Sequence, residues 1–301
     1  MKKIIFFILT FLLTPLSHAA WPTKEIILIV PYPPGGINDQ IARIIQPDLE
    51  SALKVAVTVQ NLPGAANAVA INHVLSKPND NHTFIVSMDD FVTGPLYQNS
   101  KSYSAFKSIN VIGTVPYLIF GGKSATSSKF KSQIENGHTV NIGSNGINSG
   151  SELWLKNLTS SLKFNTIPYK GGSQLLTDVM AGHSEYGVIS ITAAYPMIRN
   201  GDLTPLVQSG KNRSAVFPLV PTQAELGLSG SPAIAWFSIF TRNDTHDSAS
   251  KKFSDTVRVI VAENSKFQRL KSTGMDITNL DYTESNLFFQ QQIKHFEHNK
   301  Q

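Results

Sequence analysis

Val30–Arg43 reads VPYPPGGINDQIAR and is the stretch of this 301-residue chain best equipped to hold a ligand. It joins an apolar strand, predicted over Ile26–Val30, to a helix through prolines and two glycines. Pro33 and Pro34 donate no hydrogen bond and fix φ, while Gly35 and Gly36 permit positive φ and close approach of a ligand. Backbone N–H groups left free beside a helix N-terminus make a docking place for an anion. Asn38 or Asp39 is expected to cap that helix, whose apolar face carries Ile41, Ile44, Ile45 and Leu49. Taken alone, an ordinary strand-to-helix turn would look the same.

Other reactive residue types do not assemble into a site. The chain has 0 Cys, which removes disulfides, thiolate metal sites and a catalytic thiol together. Its 8 His are scattered; His295 and His298 can share a helix face, but the sequence implies no acidic or sulfur co-ligand for a metal there, and a solvated helix end is the expected reading. No Gly-x-Ser-x-Gly, His-Glu-x-x-His, Walker A or Gly-x-Gly-x-x-Gly pattern occurs. An exported hydrolase working through Ser144 or Ser149 needs a base within reach, and none is evident. Lys170, after a tyrosine at a strand-to-loop junction, reads as an anion-pairing or surface group rather than a Schiff-base amine. The expectation is a protein that binds rather than catalyses, with no cofactor and no metal.

These loops need elements to hold them. Short apolar runs alternate with amphipathic stretches, the pattern of an α/β protein. Strands are predicted at Val55–Val59, Thr83–Ser87, Val111–Thr114, Tyr117–Phe120, Thr139–Ile142, Asn165–Pro168, Tyr186–Ile191, Pro205–Gln208 and Trp236–Thr241. Helices are predicted at Asn38–Leu53, Ala66–Ser76, Ser149–Ser161, Ser173–Ala181, Thr192–Asn200, Thr222–Leu226, Ala249–Glu263, Ser265–Thr273 and Thr283–Asn299. Pro47 is expected to kink or end the first of these. Gly121-Gly122 and the Ser/Thr-rich Lys123–Ser128 read as a connection between lobes, with a second crossing near Gly227–Ala233. Trp154, Phe237 and Phe240 are expected in the core, and Trp236 is a candidate to touch the cleft.

Residues 1–19 read as a secretory leader: Lys2 and Lys3, the apolar Ile4–Leu13, then Ser17-His18-Ala19 as the cleavage site. No later segment approaches the roughly 20 apolar residues of a membrane span. A soluble exported chain of about 280 residues is expected, and without a cysteine it has no lipid anchor. The formal charge of +5 comes from 26 Lys+Arg against 21 Asp+Glu, and losing Lys2 and Lys3 leaves +3. No basic stripe marks a nucleic-acid surface.

The opening loop resembles the signature loop of substrate-binding proteins of tripartite tricarboxylate transporters, the Bug or TctC-like family. Further landmarks follow in that family's order: Gln60–Ala65 (QNLPGA), Ile142–Gly150 (IGSNGINSG), Pro168–Gly172 (PYKGG), Asp178–Gly182 (DVMAG) and Pro218–Gly227 (PLVPTQAELG). The resemblance implies a bilobal type II periplasmic binding protein fold, two α/β lobes closing on a ligand in the cleft. On that reading residues 20–121 with 234–301 form one lobe and 122–233 the other. It also implies a periplasmic monomer that captures a small carboxylate and delivers it to a large and a small integral-membrane subunit. Carried over by position, the first loop contributes Tyr32, Pro34, Gly35, Gly36 and Asp39 to the ligand. The second contributes Ser144, Asn145, Gly146, Asn148 and Ser149, with Tyr169 and Lys170 at the cleft edge.

Two departures bear on the ligand. Where relatives often carry Phe-Asp-Asn, this chain has Val188, Ile189 and Ser190, so the missing carboxylate argues for a solute without an amino group. At Ser87–Phe91, SMDDF, Asp89 and Asp90 replace a small polar turn. Facing the cleft they would disfavour a second ligand carboxylate, whereas the alternative is that they cap the following turn. A binding protein turned to sensing, without a transport role, would have the same sequence.

Overall fold

The computed structural model describes residues 21–158, 163–228 and 230–300, so the expected leader lies outside the described residues. Three strand–helix pairs come first: β1 (Ile26–Val30) with α1 (Ile37–Leu53), β2 (Val57–Asn61) with α2 (Ala68–Leu75), and β3 (Thr83–Met88) with α3 (Asp90–Tyr97). β4 (Phe106–Gly122) then leads to α4 (Ser127–Glu135), β5 (Val140–Ser144), α5 (Gly150–Asn157), β6 (Phe164–Pro168) and α6 (Gly172–Met180). β7 (Tyr186–Ser190), α7 (Ile191–Arg199) and β8 (Leu203–Gln208) complete this stretch. The chain ends with β9 (Ile234–Arg242), α8 (Asp247–Glu263), α9 (Ser265–Ser272), β10 (Asp276–Ile277) and α10 (Tyr282–Asn299).

The strands form one continuous sheet in the order β2-β1-β3-β9-β4-β7-β5-β6, with β8 and β10 also on β4. β1 is parallel to β2 and β3, and β5 is parallel to β6 and β7. In both groups a helix begins just beyond the carboxyl end of the strand, the place where open α/β sheets receive ligands.

β4 unites the two halves. It pairs with β9 from Phe106 to Pro116, then with β7 and β8 from Tyr117 onward. The two runs predicted on either side of Pro116 are therefore one strand of 17 residues. Gly121 and Gly122, read as a connection, pair within β4; the change of partner comes earlier, between Pro116 and Tyr117. The chain returns at Ile234, which pairs with Pro116.

Local chemistry explains most boundaries. α1 runs through Pro47 to Leu53, so the proline does not end the helix as expected. Gly36, not Asn38 or Asp39, is its N-cap. Asp281 caps α10 reciprocally with Glu284, a capping box. α3 and α4 escape sequence reading because α3 carries Gly94 and Pro95, and α4 starts within the Ser/Thr-rich run read as a connection. Trp236 is fully buried against Phe240, Phe288 and Phe289, so it belongs to the core and not to the cleft. Phe237, Phe240 and Trp154 are in the core as expected.

Candidate functional site

Between the two strand groups lies a cavity of about 510 Å³. The first turns of three helices open into it: Gly36, Ile37 and Asn38 of α1, Gly171 to Gln174 of α6, and Ser190, Thr192 and Ala193 of α7. None of the three has a side-chain N-cap. The first N–H groups of a helix have no carbonyl partner, and they carry the positive end of its dipole. Three such ends turned to one space make an anion seat, to which Lys170 adds a cationic side chain on the rim. No Asp or Glu lines this cavity among the described residues.

Apolar groups make much of the remaining wall, among them Met88, Leu176, Ile189, Met197 and Leu270. Two buried polar atoms on the lining, Asn38 Oδ1 and Thr192 Oγ1, have no hydrogen-bond partner. A buried polar atom left unpaired costs free energy. The arrangement can hold a small molecule with an anionic end and an apolar body.

The β1–α1 loop is held from inside the helix. The carboxylate of Asp39 accepts from Gly35 N at 2.9 Å, Arg43 Nε at 3.0 Å and Asn61 Nδ2 at 2.9 Å. Burial works against its ionisation, but the hydrogen bonds from Arg43, Gly35 and Asn61 outweigh it and hold the carboxyl below the usual range. Asp39 therefore shapes the loop and does not line the cavity. Asn61 Nδ2 also donates to Tyr32 O at 3.1 Å, tying the loop to the end of β2.

The β3–α3 and β5–α5 junctions meet each other instead of opening into the cavity. Asp89, the N-cap residue of α3, lies against Gly150, the first residue of α5. A methyl group on Gly150 would overlap the Asp89 carboxyl and the Tyr117 hydroxyl, so only glycine fits there. Asp89 Oδ2 accepts from the Tyr117 hydroxyl, and its Oδ1 has no partner. Nearby, Thr93 Oγ1 donates to Asn148 O at 2.8 Å, and the Tyr32 hydroxyl donates to Asp90. Burial first and Asp90 second push Asp89 up to about 8, and burial pushes Asp90 up to about 6. Burial and Asp90 also raise Tyr32, while burial and Asp89 raise Tyr117, so both phenols stay protonated as donors.

Of the residues expected at the ligand, Tyr32, Gly35, Gly36, Asn145, Lys170, Ile189 and Ser190 line the cavity. Pro34 is replaced there by Pro33, and Tyr169 stands behind the wall against Gly143. Asp89 is only 1 % exposed and is turned to Gly150. In the second loop, Ser144 Oγ donates to Gly146 O at 3.2 Å. Ser149 caps α5 by accepting from Glu152 N, and the Glu152 carboxylate takes Asn148 N. That loop's groups thus serve their own helix. The spacing Ser149-x-x-Glu152 resembles a capping box, a signal in the sequence for this self-satisfaction. Asn38, Thr192 and the start of α6 were not singled out at the ligand; the adjacency of Asn38 to Gly36, and of Thr192 to Ser190, is the cue that points to them.

The family model described as the tripartite tricarboxylate transporter family receptor matches residues 41–298. Protein BugT of Bordetella pertussis is 28 % identical over 242 residues, covering 77 % of this chain and 74 % of that protein. Among solved structures, MatC of Rhodopseudomonas palustris with bound malate superposes with a TM-score of 0.81 at 24 % identity, over 92 % of this chain and 99 % of that one. An R. palustris protein solved with adipate gives 0.83 at 22 % identity, over 92 % and 96 %. The fold is therefore that of the two-lobed periplasmic binding proteins, as the resemblance implied.

Proposed function

The chain belongs to the tripartite tricarboxylate transporter receptor family, and from that premise we propose that it is an exported periplasmic receptor for a small organic carboxylate. The observation that carries the reading is the convergence of the α1, α6 and α7 N-termini on one cavity free of acidic side chains among the described residues. The solute's carboxylate sits among those helix ends, with Lys170 adding attraction from the rim. Its body lies on Ile189, Leu176 and Met197, and a hydroxyl or carbonyl meets Asn38 or Thr192. Malate and adipate held by the solved relatives support the carboxylate class. Ile189 and Ser190 supply no carboxylate for an ammonium group, so amino acids are not the preferred solutes.

The helix ends come from different strand groups: α1 follows β1, whereas α6 and α7 follow β6 and β7. A solute touching all three makes more contacts when the groups approach, and it shifts the population toward closure. The lobes divide where β4 changes partner and where β9 begins, and the integral-membrane subunits read the closed form. Mass spectrometry of small molecules released from natively purified protein, followed by calorimetric titration of the acid found, tests the reading. A bound organic acid at one per chain is expected. Protein that carries no acid and binds none across a panel of small mono-, di- and tricarboxylates overturns it.

A further inference from the structure

Among the described residues six helices begin beyond the carboxyl ends of parallel strands, and of these α1, α6 and α7 open into the cavity. The N-terminal turns of α3 and α5 abut, with the Asp89 carboxyl between them. Tyr32, Met88 and Asn145 line the cavity and also border this contact: Met88 precedes Asp89 in the chain, Tyr32 holds Asp90, and Asn145 Oδ1 accepts from Ser151 of α5 at 2.6 Å. The contact therefore adjoins the cavity on that side.

It is furnished as a carboxyl seat. Two helix ends meet there, the Tyr117 hydroxyl donates into it, and Gly150 leaves the room that a Cβ would fill. The occupant is the chain's own carboxyl, carried by a residue only 1 % exposed and with Oδ1 unpaired. That unpaired oxygen sets it apart from a residue selected only to cap its own helix, for α3 receives no side-chain cap bond from Asp89.

We propose that Asp89 determines specificity by filling, from within the chain, the seat that a second solute carboxyl would take, so that the cavity accepts acids with a single carboxylate. The inference rests on the cavity being the solute site. It differs from simple repulsion: Asp89 acts by occupancy and shape, so an isosteric amide keeps the selectivity and a truncated side chain loses it.

The test compares the parent chain with Asp89→Asn and Asp89→Ser, using hexanoate and adipate as chains with one and two carboxylates. Titration calorimetry is expected to show hexanoate favoured at least tenfold in the parent and in Asp89→Asn, and that preference cut at least tenfold in Asp89→Ser. Formate is the independent probe: at pH 5 it raises the melting temperature of Asp89→Ser by several degrees more than it raises that of the parent or Asp89→Asn, whose open anion seat is the same. Should Asp89→Ser fold poorly, Asp89→Thr serves, since it also withdraws the carboxyl but fills more of the space, with the same loss of selectivity and gain of formate response expected. A cooperatively melting Asp89→Ser with parental selectivity and no formate response beyond the parent's overturns the proposal, as does a parent that binds adipate as tightly as hexanoate. If neither acid binds the parent, the solute reading of the cavity falls, and the formate response still decides whether Asp89 fills a carboxyl seat.

Discussion

Asp89→Asn is the substitution whose sign separates two physical accounts of the α3–α5 contact. Two helix N-termini meeting on one carboxyl favour its charged form, whereas burial favours the neutral form. Burial together with Asp90 wins here, raising Asp89 from 3.8 to about 8. A carboxyl held higher in the folded than in the unfolded state takes up a proton on folding between those two values. Stability then falls as pH rises from about 4 to about 8, by about 1.4 kcal/mol per pH unit, and is flat outside that window. The cost reaches about 4 kcal/mol at pH 7 and about 1.5 kcal/mol at pH 5. The amide keeps the shape and never ionises, at a cost of about 1–3 kcal/mol for its unpaired N–H groups. Asp89→Asn is therefore expected to be more stable than the parent at pH 8 by about 2–4 kcal/mol, or roughly 5–12 °C in melting temperature, and equal or weaker at pH 5. Urea denaturation of both proteins from pH 5 to pH 8 gives the difference directly. If the amide loses ground as pH rises, Asp89 is ionised in the fold and the reasoning from burial is refuted; a difference independent of pH refutes it equally.

Two other substitutions follow from the anion seat. Asp39→Asn turns an amide toward the donors Arg43 and Asn61, and it is expected to cost about 2–4 kcal/mol at pH 7 in chemical denaturation. Because the Asp39 carboxyl is held below its ordinary value, its contribution is present above about pH 4 and lost as pH falls through the depressed value, so the gap between parent and variant narrows as the pH is lowered through that value. Lys170→Gln removes an exposed rim cation, and the solute affinity is expected to drop about three- to tenfold at low ionic strength. Calorimetry in about 1 M salt, where the screening length is about 3 Å, should bring the two affinities together.

The opening loop was legible because its signal is local: a strand, two glycines and a helix lie within a dozen residues, and Gly35 and Gly36 do line the cavity. Asp39 was read as a possible helix cap and a ligand residue; instead its carboxylate reaches back to Gly35 from inside the first turn and secures the loop. The glycine-rich second loop was read as the counterpart of the first. Its Ser149 and Glu152 satisfy their own helix, and Asp89 arrives from a strand about 60 residues earlier. That docking depends on how α3 sits against α5, which no periodicity records. For the same reason the sequence marked Asp89 and Asp90 as departures without fixing which way they face. The β4 strand hid in two predicted pieces because Pro116 interrupts the apolar run; it is tolerated where the partner changes from β9 to β7 and β8.

The two kinds of helix junction divide the work of binding. Moving a closed form from about 1 % to about 99 % of the population takes a differential affinity of about 5.5 kcal/mol. A charge-assisted hydrogen bond contributes about 1.5–3 kcal/mol, so two or three such bonds made only on closure suffice. The α6 and α7 ends offer them to a carboxylate already resting on α1, and the apolar wall at Ile189 and Leu176 adds to the same difference. The α3–α5 junction is satisfied from within the chain, so it rewards no solute group and leaves this energetic step to the single carboxylate end. On the proposed reading, selectivity by number of carboxylates and closure on binding have one structural origin: which helix ends the chain leaves open and which it fills itself.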